Sequence, residues 1–188
     1  MDYSIESYIN QHNKVLNSLV VSEIEVAINM IKKAIKNGKR VAVCGNGGSA
    51  TAASHYITDW NKMVYSHTNT KFNGICLSDN IGLITAYAND LSYEDVFSEQ
   101  VKNLLEPDDL LITLSGSGNS ENVIRATEVA KSIGVSTLAV VGYDGGKLKK
   151  VSDKSLWIRS FDMQICEDLQ TVFGHMVMKD LCKCGISA

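Results

Sequence analysis

The residues best suited to chemistry are the serines and glycines of the segment SGSGNS, residues 115–120. Before it, residues 109–114 (DLLITL) have the branched apolar character of a buried strand, and apolar residues recur at a helical spacing in residues 121–132. Such a loop suits an anion, because glycines allow close backbone approach, hydroxyls donate hydrogen bonds and the helix N-terminus adds partial positive charge. The alternative is a serine-rich loop that only caps a helix.

The residues that this loop lacks restrict the kinds of anion that it could bind. It contains no lysine and no GxxxxGK[ST] pattern, which argues against a nucleotide-binding P-loop. Serines and glycines alone favour a single phosphate group on a small molecule.

A second loop of the same kind follows an earlier apolar run. Residues 40–44 (RVAVC) predict a strand, residues 45–49 (GNGGS) a loop, and residues 50 to about 63 a helix. Two strand–loop–helix units in one small chain predict two loops at the same end of a parallel sheet. In open α/β sheets ligands bind beside the carboxyl ends of the strands.

Length and composition exclude several classes of protein. A chain of 188 residues fits one domain with a sizeable core. A net charge of −3 gives no basic surface for nucleic acid, and no apolar run approaches a membrane span. The N-terminal sequence lacks the basic and apolar regions of a signal peptide. Five cysteines without paired zinc-ribbon spacing indicate reduced thiols in a cytoplasmic protein.

The order of the predicted elements indicates the fold class. Residues 1–38 predict two helices, the second opened by a capping box of Ser22 and Glu25 and ended by Gly38. Further strands are predicted at residues 74–77, 136–141 and 155–159, with helices between them. This alternation predicts a three-layer α/β fold, a doubly wound parallel sheet of about five strands in one domain, with residues 39–188 as the α/β core and C-terminal helix. The terminal helices are expected to pack against another copy of the chain.

These motifs together resemble the sugar isomerase (SIS) domain family, in the single-domain branch of the phosphoheptose isomerases. The resemblance spans essentially the whole chain. The matching residues are Cys44-Gly45-Asn46-Gly47-Gly48-Ser49, His55, Ala88-Asn89-Asp90, Ser115, Ser117-Gly118-Asn119-Ser120, Gly142, Asp144-Gly145-Gly146 and Leu169-Gln170.

The resemblance implies a flavodoxin-like five-stranded sheet, a homotetramer and active sites between subunits. It implies that Ser49, Ser115, Ser117 and Ser120 hold a substrate phosphate beside Gly47 and Gly48, and that Asn46 and Asp90 lie against the sugar. The family converts sedoheptulose 7-phosphate into D-glycero-D-manno-heptose 7-phosphate for surface-polysaccharide precursors. The reaction moves a proton between adjacent carbons through an enediol.

The family surrounds a zinc ion with a histidine, a glutamate four residues later, a glutamine, and a histidine eight residues after the glutamine. This chain keeps the first histidine as His55 and the glutamine as Gln170, but has Asp59 for the glutamate and Met178 for the second histidine. His55 and Asp59 are the candidate catalytic residues, and His55, Asp59 and Gln170 the candidate zinc ligands, with a fourth position left to substrate or water. The family's threonine in the second loop is here Gly116.

The nearest replacement for the missing histidine is His175. Five residues after Gln170, it should lie roughly 140° around the helix, on another face. It would pair with Glu167, eight residues earlier, only if the helix register slipped by one turn, and the preceding segment LWIRSF favours the unshifted match. The sequence therefore favours a His175 outside the site.

Three functions remain open at this point. The first is a sugar-phosphate isomerase, favoured because the phosphate serines are complete and Asp59 keeps its charge. The second is a non-catalytic protein that binds the replication initiator DnaA, like the family member DiaA. The third is a sugar-phosphate sensor. All three share the fold, so the fold alone does not choose among them.

Overall fold

Five parallel strands form one sheet in the computed structural model of the protein, which describes residues 4–184. In chain order they are β1 (Val41–Gly45), β2 (Gly74–Cys76), β3 (Leu110–Ser115), β4 (Ser136–Val141) and β5 (Lys154–Trp157). Their order across the sheet is β2-β1-β3-β4-β5, and every neighbouring pair is parallel. The predicted five-stranded, doubly wound, flavodoxin-like sheet is confirmed.

Helices cover both faces of this sheet and also precede and follow it. They are α1 (Ile5–Asn17), α2 (Val21–Lys36), α3 (Gly48–Asp59), α4 (Tyr65–Thr68), α5 (Ile81–Asp90), α6 (Ser98–Leu104), α7 (Glu121–Ser132), α8 (Gly146–Val151) and α9 (Met163–Cys184). A π-helical turn, Trp60–Val64, joins α3 to α4, and a short 3₁₀ turn, Tyr93–Asp95, precedes α6.

The side chains of each strand alternate between two apolar clusters. In β3, Ile112 points to a cluster built from α1, α2, α3 and α9, whereas Leu111 points to a cluster that includes α6, α7 and α8. Successive strand residues face opposite sides of a sheet, so a strand buried on both faces must be apolar throughout. The three-layer arrangement follows from this pattern.

Most predicted boundaries hold to within one or two residues. The strand at residues 136–141 and the helix at residues 121–132 coincide with β4 and α7. The capping box predicted at Ser22 is wrong, because α2 begins one residue earlier and its N-cap, Val20, makes no side-chain hydrogen bond. The predicted division of the chain into residues 1–38 and 39–188 stays a prediction. Residues 1–3 and 185–188, at the two ends of these segments, lie outside the described residues. Across residues 4–184, no helix is both long and apolar enough to span a lipid bilayer.

The packing of the central strand β3 is tested at Ile112. Its side chain is fully buried. Ile112→Ala should lower the free energy of unfolding by about 2–5 kcal/mol, because it removes apolar contacts and leaves a cavity. Urea unfolding measures the change. Ile81→Ala is the matched control, since Ile81 is 76% exposed and its loss should cost about 0.5 kcal/mol or less. Equal losses for the two variants would contradict this assignment of the core.

Candidate active site

The two glycine- and serine-rich loops lie side by side because β1 and β3 are neighbours in the sheet. The register pairs Gly45 with Leu114, so both strands end at the same level. At this point the strand order changes direction, since β2 lies on one side of β1 and the later strands on the other. A crevice opens at such a switch point, where the loops after the two strands diverge to opposite faces of the sheet.

A cavity of about 230 Å³ occupies this crevice. Its lining includes six of the residues predicted to bind a sugar phosphate: Asn46, Gly47, Ser49, Ser115, Ser117 and Ser120. The structure therefore brings together residues of both loops. The lining that the described residues provide includes no lysine or arginine.

Two helices direct their N-termini to this cavity. Gly47 is the N-cap of α3 and Ser120 the N-cap of α7, and neither makes a side-chain capping bond. The first backbone N–H groups of a helix lack intrahelical partners and carry the positive end of the helix dipole. Two such ends on one cavity give it the character of an anion site without any basic side chain.

The second loop is held in shape by its own hydroxyls. The backbone N–H of Gly118 donates to Ser115 Oγ at 3.1 Å, and that of Asn119 donates to Ser117 Oγ at 3.2 Å. Gly118 has a φ of +67°, and a Cβ at this position would lie 2.2 Å from the carbonyl oxygen of Gly145. The loop conformation and its contact with the 142–146 turn therefore both require glycine at position 118.

Two cavity residues were missed at the sequence level, Met163 and Glu167, both on α9. A Cβ on Gly116 would lie 2.2 Å from Met163 Sδ, and a Cβ on Gly48 would lie 2.2 Å from the Glu167 carboxylate. The glycines thus make room for side chains that enter from a distant helix. The replacement of the family's threonine by Gly116 was the available signal, and the contact with Met163 explains it.

A second group of polar side chains lies further along α3. His55 Nε2 is 2.8 Å from His175 Nε2, and Asp59 Oδ2 is 3.6 Å from the first and 3.7 Å from the second. His55 and Asp59 are one turn apart on α3, and His175 comes from α9. These three residues form a cluster that could hold a metal ion.

The expectation that His175 lies outside the site is wrong. Gln170 and His175 do face different directions, as their spacing predicts, but α9 packs along the length of α3. Gln170 therefore meets Ser49 near the start of α3, and His175 meets His55 six residues later. Glu167, eight residues before His175, lies at the cavity, so α9 brings to the site both members of the Glu167–His175 pair, which the unshifted match to Gln170 had argued against.

Close packing of α9 on α3 depends on Gly174, the residue before His175. The indole N–H of Trp60 donates to the Gly174 carbonyl oxygen at 3.0 Å. A Cβ on Gly174 would lie 2.3 Å from the Tyr56 ring. The absence of a side chain at this position lets the helices approach and brings His175 within reach of His55.

The side chain of Gln170 does not take the role of metal ligand that the sequence predicted for it. Its side chain is fully buried, and its Oε1 accepts a hydrogen bond from Ser49 Oγ at 2.9 Å. The atom that would bind a metal is therefore engaged by a serine, and its Nε2 finds no partner among the described residues. The hydroxyl hydrogen of Ser49 is likewise turned toward Gln170 rather than toward the cavity.

Two further positions that the sequence analysis singled out are Asp90 and Met178. Asp90, at the end of α5, is exposed and accepts a hydrogen bond from Asn89 Nδ2 at 2.8 Å. The lining contributed by the described residues does not include it. Met178 is half-buried and packs against the apolar cluster under α9.

The described cysteines are poorly suited to act as nucleophiles. Cys44, Cys76, Cys166 and Cys182 are free thiols. Burial raises the pKa of Cys76 to about 12 and raises the pKa of Cys166 above its ordinary value. Burial and the charge of Asp59 raise the pKa of Cys182. A thiol with a raised pKa stays protonated at neutral pH and is a poor nucleophile.

Comparison with known protein families agrees with this geometry. Residues 7–142 match the model of the SIS domain. The chain belongs to the SIS domain family. A phosphoheptose isomerase of Helicobacter pylori strain P12 is 34% identical over 187 residues, covering 98% of this chain and 95% of that protein. A phosphoheptose isomerase of Campylobacter concisus is 34% identical, covering 92% of each. The solved structure of a phosphoheptose isomerase from Francisella tularensis is 26% identical and superposes with a TM-score of 0.87, covering 94% of this chain and 95% of that one.

The contact at Gly174 generates a prediction about the α3–α9 pair. Gly174→Ala should lower the free energy of unfolding by about 1–3 kcal/mol, because overpacking against Tyr56 outweighs the gain of about 1 kcal/mol in helix propensity. Urea unfolding measures it. Gly82→Ala in α5 is the matched control, because its Cβ would meet only the Asn80 side-chain oxygen, at 3.2 Å. Tolerance of alanine at position 174 to the same degree as at position 82 would argue against this packing.

Proposed function

We propose that this SIS domain protein is a sugar-phosphate isomerase of the phosphoheptose isomerase type, acting on sedoheptulose 7-phosphate. The observation that carries the proposal is the convergence of both glycine- and serine-rich loops on one cavity, with the His55–Asp59–His175 cluster formed further along α3, the helix that starts there, and the α9 helix packed on it. Relatives that bear the name phosphoheptose isomerase and cover nearly the whole chain support the same assignment.

In this proposal the cavity binds the phosphate group. Ser115, Ser117 and Ser120 donate from the second loop, and the N-termini of α3 and α7 add backbone N–H groups. Ser49 contributes its backbone, since its hydroxyl hydrogen goes to Gln170. Asn46, on the cavity wall, and Asp90 meet the sugar chain.

The distance between cavity and cluster favours an extended substrate. Ser49 and His55 are six residues apart on α3, which corresponds to about 9 Å along a helix axis. A ligand whose phosphate lies among the serines must reach this far to bring its carbonyl carbons to the His55 end of the cluster. A longer open-chain sugar phosphate meets that requirement.

Asp59 is the proposed base. Its carboxylate takes the proton from one carbon, the bonding pair becomes the C=C bond of an enediol, and the proton returns to the adjacent carbon. His55 is the proposed carrier of the proton that moves between the two oxygens. The two imidazoles beside the carboxylate keep it among polar groups at the end of α3.

The cluster also fits a zinc ion. Four-coordinate zinc prefers histidine nitrogens and carboxylate oxygens at about 2.0–2.2 Å, so that neighbouring ligand atoms are roughly 3.3 Å apart. The observed separations of 2.8, 3.6 and 3.7 Å lie around that value. We propose His55, Asp59 and His175 as the ligands, with His175 in place of Gln170. Zinc held there would supply Lewis-acid polarisation of the substrate oxygens in place of proton transfer by His55, whose Nε2 would then be a ligand, and Asp59 would act as base through the carboxylate oxygen that does not bind the metal.

We also propose a homotetramer in the cytoplasm, as the family resemblance implies. Large apolar side chains at the outer surface support assembly: Ile5 is 72% exposed and Phe161 is 76% exposed. Exposed apolar residues of this size are typical of surfaces that pack against another chain.

Turnover of sedoheptulose 7-phosphate is the direct test. The purified protein with zinc should convert it into a heptose 7-phosphate, and Asp59→Asn should reduce kcat by at least about 100-fold, since the amide cannot accept the proton. Product formation is followed by chromatography. If the wild-type protein produces no more than the Asp59→Asn variant, the isomerase assignment fails, and binding assays with DnaA then test the non-catalytic alternative.

Phosphate binding is tested at the second loop. Ser120→Ala should weaken binding of sedoheptulose 7-phosphate by about 1–2 kcal/mol, or roughly 5- to 30-fold, the loss of one hydrogen bond to a charged group. Isothermal titration calorimetry measures the dissociation constant. Ser132→Ala, at the far end of the same helix, is the control and should bind as the wild type does. An unchanged constant in Ser120→Ala would remove this residue from the phosphate site.

The zinc ligands are tested by metal affinity. His175→Ala should lower zinc affinity by at least about 100-fold, since losing even a residue that supports a ligand costs about 10–100-fold. The exposed His67 supplies the control variant His67→Ala. The visible spectrum of bound Co²⁺ reports the ligand set independently of activity. Loss of zinc in Gln170→Ala but not in His175→Ala would favour the family's original ligands.

A further inference from the structure

A closed pair of side-chain amides links the two loops of the cavity. Asn46 Nδ2 donates to Asn122 Oδ1 at 2.9 Å, and Asn122 Nδ2 donates back to Asn46 Oδ1 at 3.0 Å. Asn46 follows β1, and Asn122 is the second residue of α7, just after the serine loop. The hydroxyl of Tyr93 donates a third bond, to Asn46 Oδ1, at 2.9 Å.

Counting donors and acceptors shows what this arrangement leaves to a ligand. A carboxamide oxygen accepts two hydrogen bonds and its nitrogen donates two. Both acceptor positions of Asn46 Oδ1 are filled, by Tyr93 and Asn122, whereas one of its two N–H groups is used. Asn46 lines the cavity, so what it can offer there is a single N–H donor.

The orientation of Asn122 is fixed in turn. Its side chain is 3% exposed, and its Oδ1 also accepts the backbone N–H of Val123 at 2.9 Å. Reversal of the Asn122 amide would place its NH₂ group against that backbone N–H and against Asn46 Nδ2. A buried donor that faces another donor loses its hydrogen bond and its hydration together. The Asn46 amide is thereby held in one of its two orientations.

We infer that Tyr93 and Asn122 are positioning residues that make Asn46 a hydrogen-bond donor to an acceptor oxygen of the substrate. The inference rests on the proposed function and adds the polarity of this contact. The ligand oxygens within reach of Asn46 are those of the phosphate ester and of the sugar carbons next to it, because the same cavity holds the proposed phosphate and the His55–Asp59–His175 cluster lies about 9 Å further along α3. A donor held in advance at such an oxygen favours binding, since the ligand does not have to order it.

Two variants test the inference through the dissociation constant for sedoheptulose 7-phosphate. Tyr93→Phe should raise this constant by about 2- to 10-fold, the value of one net hydrogen bond. Asn122→Asp should raise it further, because a carboxylate oxygen then faces Asn46 Oδ1 and adds negative charge beside the cavity. The kcat of Tyr93→Phe should change less than about twofold, because an interaction made equally with substrate and transition state does not alter kcat.

Tyr65→Phe is the matched control for Tyr93→Phe, since both tyrosines are 53% exposed and Tyr65 lies outside the cavity. It should keep the wild-type dissociation constant. Melting temperature distinguishes positioning from structure, because a purely structural role of Tyr93 would lower the melting temperature along with the affinity.

The outcomes separate this inference from the proposed function. If the wild-type protein turns over sedoheptulose 7-phosphate and both variants keep its dissociation constant, the positioning role is wrong and the isomerase assignment stands. If Tyr93→Phe loses affinity only together with thermal stability, the role is structural and the inference is likewise overturned. If the wild-type protein neither binds nor turns over the sugar phosphate, the proposed function fails and the inference fails with it.

Discussion

The neighbouring placement of β1 and β3 is the constraint on which the rest of the site depends. These strands pair in register up to Gly45 and Leu114, and no other strand intervenes. Their loops therefore emerge at one level, and α3 and α7 begin there with N-termini directed at the same cavity. Either loop alone would be a capped helix end, whereas the pair encloses a volume suited to a phosphate.

Helix α3 also fixes where the His55–Asp59–His175 cluster lies relative to the cavity. It begins at the cavity and ends at Asp59, and α9 packs along it through the contact at Gly174. A single pair of packed helices thus holds Ser49 with Gln170 at one end and His55 with His175 at the other. Because the helices are rigid over this length, the separation between the cavity and the His55–Asp59–His175 cluster is set by the backbone rather than by mobile side chains.

The described lining of the cavity contains no basic residue. Backbone N–H groups and hydroxyls are the donors that it offers to an anion, and Glu167 adds a carboxylate to the same wall. In a site built from neutral dipoles, the backbone sets the position of each donor. Glycines at positions 48, 116 and 118 allow the backbone to lie close to Glu167, Met163 and Gly145, where a Cβ would clash.

The fold class and the anion-binding loops could be predicted from the sequence, because both rest on local patterns. Apolar alternation, glycine and serine clusters and helical periodicity appear in short windows, so β4 and α7 were placed correctly to the residue. The match of family motifs added the identities of His55 and Asp59. Capping at Ser22 failed because α2 begins at Val21, so that Ser22 lies inside the first turn, and the N-cap Val20 makes no side-chain hydrogen bond.

The partners of α9 could not be predicted from the sequence. His175 reaches His55, and Gln170 turns to Ser49, because two helices distant in the chain approach closely at a glycine. Spacing along one helix gives the direction in which a side chain points, but not the position along the neighbouring helix at which it makes contact. Glu167 at the cavity and His175 at the cluster are therefore recognised as a pair only when α3 and α9 are packed together, since helix–helix contact is a property of the whole core.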